Sequence, residues 1–136
     1  MPLMNWSALY ALGVPDMDAT HQEFMAAVNE AAAAPDTDFL ARFDALIAHT
    51  EGHFGQERIW MARLGFAPDH CHLGEHERVL ALLRAVRDKM AADGDTALGR
   101  RVLSEMPPWF DQHASLMDAP LAHYLKEEQR ARAIGV

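Results

Sequence analysis

Residues 37–64 read TDFLARFDALIAHTEGHFGQERIWMARL. Phe39, Leu40, Phe43, Leu46, Ile47, Phe54, Ile59 and Trp60 recur there at spacings near 3.6, the period of a helix with one apolar face. The turn Pro35-Asp36-Thr37-Asp38 precedes the stretch and supplies capping residues. Gly65 stops it and Pro68 prevents its resumption. On this helix stand His53 and Glu57, four residues apart and therefore on one side.

The flanking sequence repeats the pattern. A first helix is expected over 18–34, with Asp18 or Thr20 as cap, Thr20 and Glu23 at capping-box spacing, and Phe24 and Val28 leading into an alanine run. A third is expected over 69–92, with Val79, Leu82, Leu83 and Val86 on its inner side and Asp93-Gly94-Asp95-Thr96 closing it. The fourth covers 97–129, with a break at Pro107-Pro108, since neither proline has an N–H to donate, and a second disturbance at Pro120. Residues 1–17, with Trp6, Tyr10, Gly13 and Pro15, read as an extended arm too apolar to float free. With no period-2 pattern and short connections throughout, the expected fold is all-α: an up-down-up-down antiparallel four-helix bundle with an N-terminal extended arm, in a single domain spanning 1–136.

Length and composition are those of one soluble domain: 136 residues, half of them apolar and 24% charged. A net charge of −8 argues against nucleic acid and anionic membrane surfaces as partners. Cys71 is the only cysteine, so no intramolecular disulfide forms and a reducing compartment fits. The first residues lack a basic region followed by an apolar core, and no apolar run is long enough to insert in a bilayer, so a cytoplasmic location is expected.

Seven potential metal ligands fall at one depth of such a bundle. His21 opens the first helix, His53 and Glu57 lie late in the second, His72 and His76 open the third, and His113 and Asp118 lie late in the fourth. In an antiparallel bundle, residues at one level must alternate between helix starts and helix ends, as these do. His53/Glu57 and His72/His76 are i,i+4 pairs, each on one face. His113 and Asp118 are i,i+5, which an ideal helix turns about 140° apart. That is the weakest geometric link, and Pro120 is a candidate for easing it.

A single helical histidine is ordinarily an exposed or satisfied side chain, and an isolated His-x-x-x-Glu arises by chance. Five imidazoles and two carboxylates in one core would instead cost several kcal/mol each to desolvate, a penalty that metal ions remove. Imidazole with carboxylate suits iron, manganese or zinc. Seven ligands exceed what one zinc takes. Two octahedral ions sharing both carboxylates and one bridging oxygen would leave one position open, in a setting suited to a small diatomic ligand.

The segments Gly13-Val14-Pro15-x-Met17-Asp18-x-x-His21-x-x-Phe24, His53-Phe54-x-x-Glu57, His72-x-x-x-His76 and Trp109-x-x-x-His113-x-x-x-x-Asp118 resemble the hemerythrin family, in particular its single-domain bacterial members. The resemblance spans nearly the whole chain. It implies a four-helix bundle around a non-haem, oxo- or hydroxo-bridged pair of iron ions that binds dioxygen reversibly. It further implies that His72, His76 and His113 hold one iron, that His21 and His53 hold the iron with the open position, and that Glu57 and Asp118 bridge. The pocket for dioxygen should be apolar, with Phe24, Phe54, Trp109, Phe110 and Ala114 as candidate walls. Two departures from the family's pattern stand out: Arg58, where many members carry a second glutamate, and Ala114, where a larger aliphatic is common and whose small side chain leaves a roomier pocket.

Oxygen storage, delivery or scavenging, without enzymatic turnover, is therefore the leading functional expectation, with an oxygen-consuming protein as recipient. At 136 residues no signalling output domain is expected. The alternative is a di-iron redox enzyme or sensor acting on peroxide, nitric oxide or iron–sulfur repair. No further general acid and no redox cysteine pair recommends it. His49, one turn before His53, is expected to be partly exposed, His70 and His123 to be surface residues, and Cys71 a bystander.

Overall fold

The computed structural model describes residues 2–135. It is all-helical: α1 (Pro15–Ala33), α2 (Asp36–Arg63), α3 (Cys71–Asp93), α4 (Ala97–His113) and α5 (Ala119–Ala133), with α4 and α5 joined by a π-helical turn over Ala114–Asp118. α4, the π turn and α5 together form the fourth rod of an antiparallel four-helix bundle, in which α1 packs on α2, α2 on α3, α3 on α4, and α4 back on α1. No described helix is long and apolar enough to cross a membrane.

Local chemistry sets where each rod begins and ends. α1 starts at Pro15, three residues before the expected position, because the fixed φ of proline suits the first helical residue. The expected capping box does not form. Thr20 donates its hydroxyl to the Asp16 carbonyl. Asp18 instead accepts the backbone N–H groups of Leu12 and Gly13, at 2.9 and 3.2 Å, and so ties down the arm. α2 ends in a Schellman motif: Gly65 adopts φ +84, and Phe66 N–H bonds the Met61 carbonyl at 2.9 Å. α3 starts at Cys71, where His70 acts as N-cap by accepting the His72 N–H on Nδ1 at 3.1 Å.

The expected break at Pro107-Pro108 is absent. α4 runs through both prolines, because Val102, Leu103, Met106 and Phe110 are buried along its inner face and hold it on course. The irregularity lies further on, in the π turn, where Ala119 N–H reaches back five residues to the Ala114 carbonyl. The arm is extended apart from a single 3-10 turn at Ala8–Tyr10. It packs against α1 through paired bonds between the Met4 backbone and the Asn29 amide, and reaches α4 through Tyr10, which donates to Asp111 at 2.7 Å.

The core has two apolar parts. The larger gathers Phe24, Phe39, Phe43, Leu46, Phe54, Val79, Leu83, Leu103 and Phe110. The smaller gathers Met17, Met61, Leu121, Ala122 and Leu125. Each rod passes from one part to the other through a polar layer: Met17 to Phe24 across His21, Met61 to Phe54 across Glu57, Leu73 to Val79 across His76, and Phe110 to Leu121 across His113 and Asp118.

Candidate metal centre

His21, His53, Glu57, His72, His76, His113 and Asp118 lie together in that layer, each between 0 and 7% exposed. All five histidines turn Nε2 inward, and the carboxylate oxygens divide between them. On one side, His72 Nε2 lies 3.1 Å from both Glu57 Oε1 and Asp118 Oδ1. His76 Nε2 is 3.4 Å from Glu57 Oε1, and His113 Nε2 is 3.2 Å from Asp118 Oδ1. On the other, His21 Nε2 lies 3.1 Å from Asp118 Oδ2, while His53 Nε2 is 2.5 Å and His21 Nε2 3.9 Å from Glu57 Oε2. Each carboxylate thus offers one oxygen to a three-histidine group and the other to a two-histidine group.

These approaches are not ordinary hydrogen bonds. His21 Nε2, His72 Nε2, Glu57 Oε1 and both Asp118 oxygens are buried without an aligned hydrogen-bond partner, although neighbours stand about 3 Å away. The Nε2 atoms of His76 and His113 face each other at 3.2 Å. Donor atoms aimed at a common centre behave this way, and about 3 Å is the edge of an octahedron with bonds of about 2.1 Å. Two donor sets capable of holding a cation result: Glu57, His72, His76, His113 and Asp118, and His21, His53 and Glu57. The oxygen Asp118 Oδ2, close to His21, adds a fourth donor to the second set.

The π turn explains why the i,i+5 pair works. It inserts one residue into the rod, so that Asp118 returns to the side His113 occupies, as a residue four positions on would in an α-helix. Pro120 follows directly and cannot donate to a carbonyl in this segment. Ring orientation comes from packing. His76 stacks on Phe54 with centroids 3.6 Å apart and His113 on Trp109 at 4.7 Å, while His21 meets the edge of Phe110. Trp109 is itself fixed by donating Nε1–H to Glu75 at 2.8 Å, a contact with no signature in the sequence.

With protons as the only cations, the layer divides its charge unevenly. Burial opposes protonation of His21 and His72, but the adjacent Asp118 and Glu57 carboxylates overcome it and raise both to about 9. Burial, reinforced by the neighbouring His72 and His113, drives His76 down to about 3. Burial and the mutual repulsion of the two carboxylates oppose ionisation of Glu57, yet His21, His53 and His72 hold it well below the usual carboxylate range; Asp118 is held down likewise by His113, His21 and His72.

Phe24, Phe54, Trp109 and Phe110 line a narrow apolar crevice with His53 and His113, which has no room for a water molecule unless a side chain moves. Ala114 is buried in the larger core, and the crevice is lined without it. His49 is half-buried, with Nε2 3.3 Å from the Thr20 carbonyl. Cys71 and His123 are exposed. Arg58 points outward, within 3.9 Å of Glu77.

Residues 12–130 match the model of the hemerythrin HHE cation-binding domain. The chain belongs to the hemerythrin family. Over 127 residues it is 47% identical to a bacteriohemerythrin of Ralstonia nicotianae, covering 93% of this chain and 92% of the relative. A bacteriohemerythrin of Methylococcus capsulatus is 25% identical over 123 residues, covering 87% and 93%. The buried His/Glu/Asp cluster lies entirely within the matched segment.

Two outcomes follow for a hemerythrin-family layer of this kind. After removal of metal by a chelator, the raised values of His21 and His72 supply stability that is complete below about pH 6.5 and lost as pH rises through 9. Thermal unfolding should therefore show the midpoint falling over that window, and a flat profile contradicts the charge assignment. Inserting one alanine after Ser115 should carry Asp118 about another 100° around the rod and lower the metal content. Deleting Ser115 together with Pro120→Ala should restore an i,i+4 pair and retain it. Metal analysis showing equal content in both variants contradicts the role given to the π turn.

Proposed function

We propose that the chain binds dioxygen reversibly at a non-haem di-iron centre, for storage, delivery or scavenging. His72, His76 and His113, with Glu57 Oε1 and Asp118 Oδ1, would hold one iron. His21 and His53, with Glu57 Oε2 and Asp118 Oδ2, would hold the other, the two carboxylates being shared between them. The observation that carries this reading is the division of each carboxylate's oxygens between a three-histidine and a two-histidine group. It provides five donors on one side and four on the other, so the poorer side keeps the open position. When bound, the iron pair supplies the electrons that hold dioxygen and takes them back on release.

The protein's own residues then decide whether binding stays reversible. His53, from the four-donor side, borders the crevice of Phe24, Phe54, Trp109 and Phe110. These rings keep the crevice apolar and closed to water, and dioxygen would enter it only as a side chain moves aside. His53 and His113, both assigned to metal in this reading, are the titratable side chains lining the crevice, so no group there is left over to protonate a bound ligand. This favours release over consumption, and hence a carrier over an enzyme acting on peroxide or nitric oxide. The name bacteriohemerythrin borne by the relatives supports the same reading. An exposed lone Cys71 and the acidic charge balance suit a cytoplasmic protein serving an oxygen-consuming recipient.

Anaerobic reconstitution with ferrous iron, followed by cycles of oxygen addition and removal, tests the proposal. The expected result is two irons per chain and a visible absorption band that forms with oxygen and vanishes without it through several cycles. Irreversible oxidation at the first exposure contradicts a carrier role.

A further inference from the structure

Among the described residues, two grooves reach the buried layer from solvent, and they differ in charge. The one between α2 and α3 ends at His76, and there Arg58 and Arg84 face Glu77 and Glu51, so its charges balance and draw no cation in. The other, of about 520 Å³ between α1 and α2, ends at His53 and carries Asp16, Glu23 and His49 with no lysine or arginine. The apolar crevice has no room for a hydrated ion. Resting on the di-metal reading, we propose that the α1/α2 groove is the loading route for divalent cations, and that His49 Nδ1 and Glu23 form a transient capture site along it.

The chemistry of His49 supports the assignment. Its Nε2–H donates to the Thr20 carbonyl at 3.3 Å, which leaves Nδ1 as the nitrogen facing Glu23 Oε2, 3.9 Å away. A ring nitrogen and a carboxylate oxygen at that separation can share a cation between them. His53 is the second observation. It forms part of the groove lining, is 93% buried by its 7% exposure, and leaves Nδ1 without a partner, while Nε2 touches Glu57. A single side chain therefore spans from groove to centre, and its ring lies 6.4 Å from that of His49. The groove floor at Gly52 is open: a Cβ built there meets nothing within 4 Å. An ion captured at Glu23 and His49 passes over Gly52, displaces the His53 ring from Glu57 and enters the carboxylate layer.

The test is stopped-flow loading of the chelator-stripped full chain with Co²⁺ alone, followed by its absorbance, with metal content measured at the end. The wild type should reach two ions per chain. Glu23→Gln with His49→Gln should load about tenfold more slowly, with a weaker salt dependence of the rate, and reach the same final content. Gly52→Leu, which fills the groove without touching the pair, should also slow loading. Wild-type rates in both variants, or acceleration by Arg58→Gln at the α2/α3 groove, would overturn the route while leaving the centre intact. A wild type that never takes two ions fails at the di-metal reading itself.

Discussion

Two carboxylates held among five imidazoles, inside a helical core and away from water, form the constraint on which this structure depends. An uncompensated charge there costs several kcal/mol. Glu57 and Asp118 stand about 3 Å from histidine nitrogens, yet most of these donors lack a hydrogen-bond partner. Protons on His21 and His72 offset part of the charge, and cations between the two histidine groups would offset it more completely. The bundle places an apolar cluster above and below the layer, so water cannot substitute.

Each rod contributes a device that sets its ligands at this depth. Pro15 starts α1 so that His21 falls in its second turn, and His70 caps α3 so that His72 and His76 open it. The π turn corrects the phase between His113 and Asp118. Aromatic packing then orients the rings, through Phe54 on His76 and Trp109 on His113. The same aromatics wall the crevice, so the groups that aim the ligands also exclude water beside them. On the opposite face of His53 lies a polar groove, which separates the path suited to ions from the path suited to an apolar gas.

Periodicity and stop signals made the rods legible, because α2 carries most of its apolar stripe and its terminating Gly65 in plain order, although Ile59 faces solvent and no side chain caps the helix start. The convergence of the seven donors was legible for a topological reason: antiparallel rods bring helix starts level with helix ends. Backbone behaviour was less so. Pro107-Pro108 reads locally as a break, but buried Val102, Leu103, Met106 and Phe110 hold the helix together, and such tertiary packing leaves no local mark. The π turn is hinted at only by the i,i+5 spacing. His70, which reads as a surface histidine, and Asp18, which reads as a cap, owe their roles to partners fixed by loop geometry. Ala114 follows His113 in sequence, yet it packs into the larger apolar core and the crevice is lined without it.

Diffraction from iron-loaded crystals at the iron absorption edge tests the central claim most directly. The account requires two anomalous peaks per chain about 3–4 Å apart. One should be bounded by His72, His76 and His113, the other by His21 and His53, with Glu57 and Asp118 spanning both. A single peak, or a pair not bridged by these carboxylates, would contradict it.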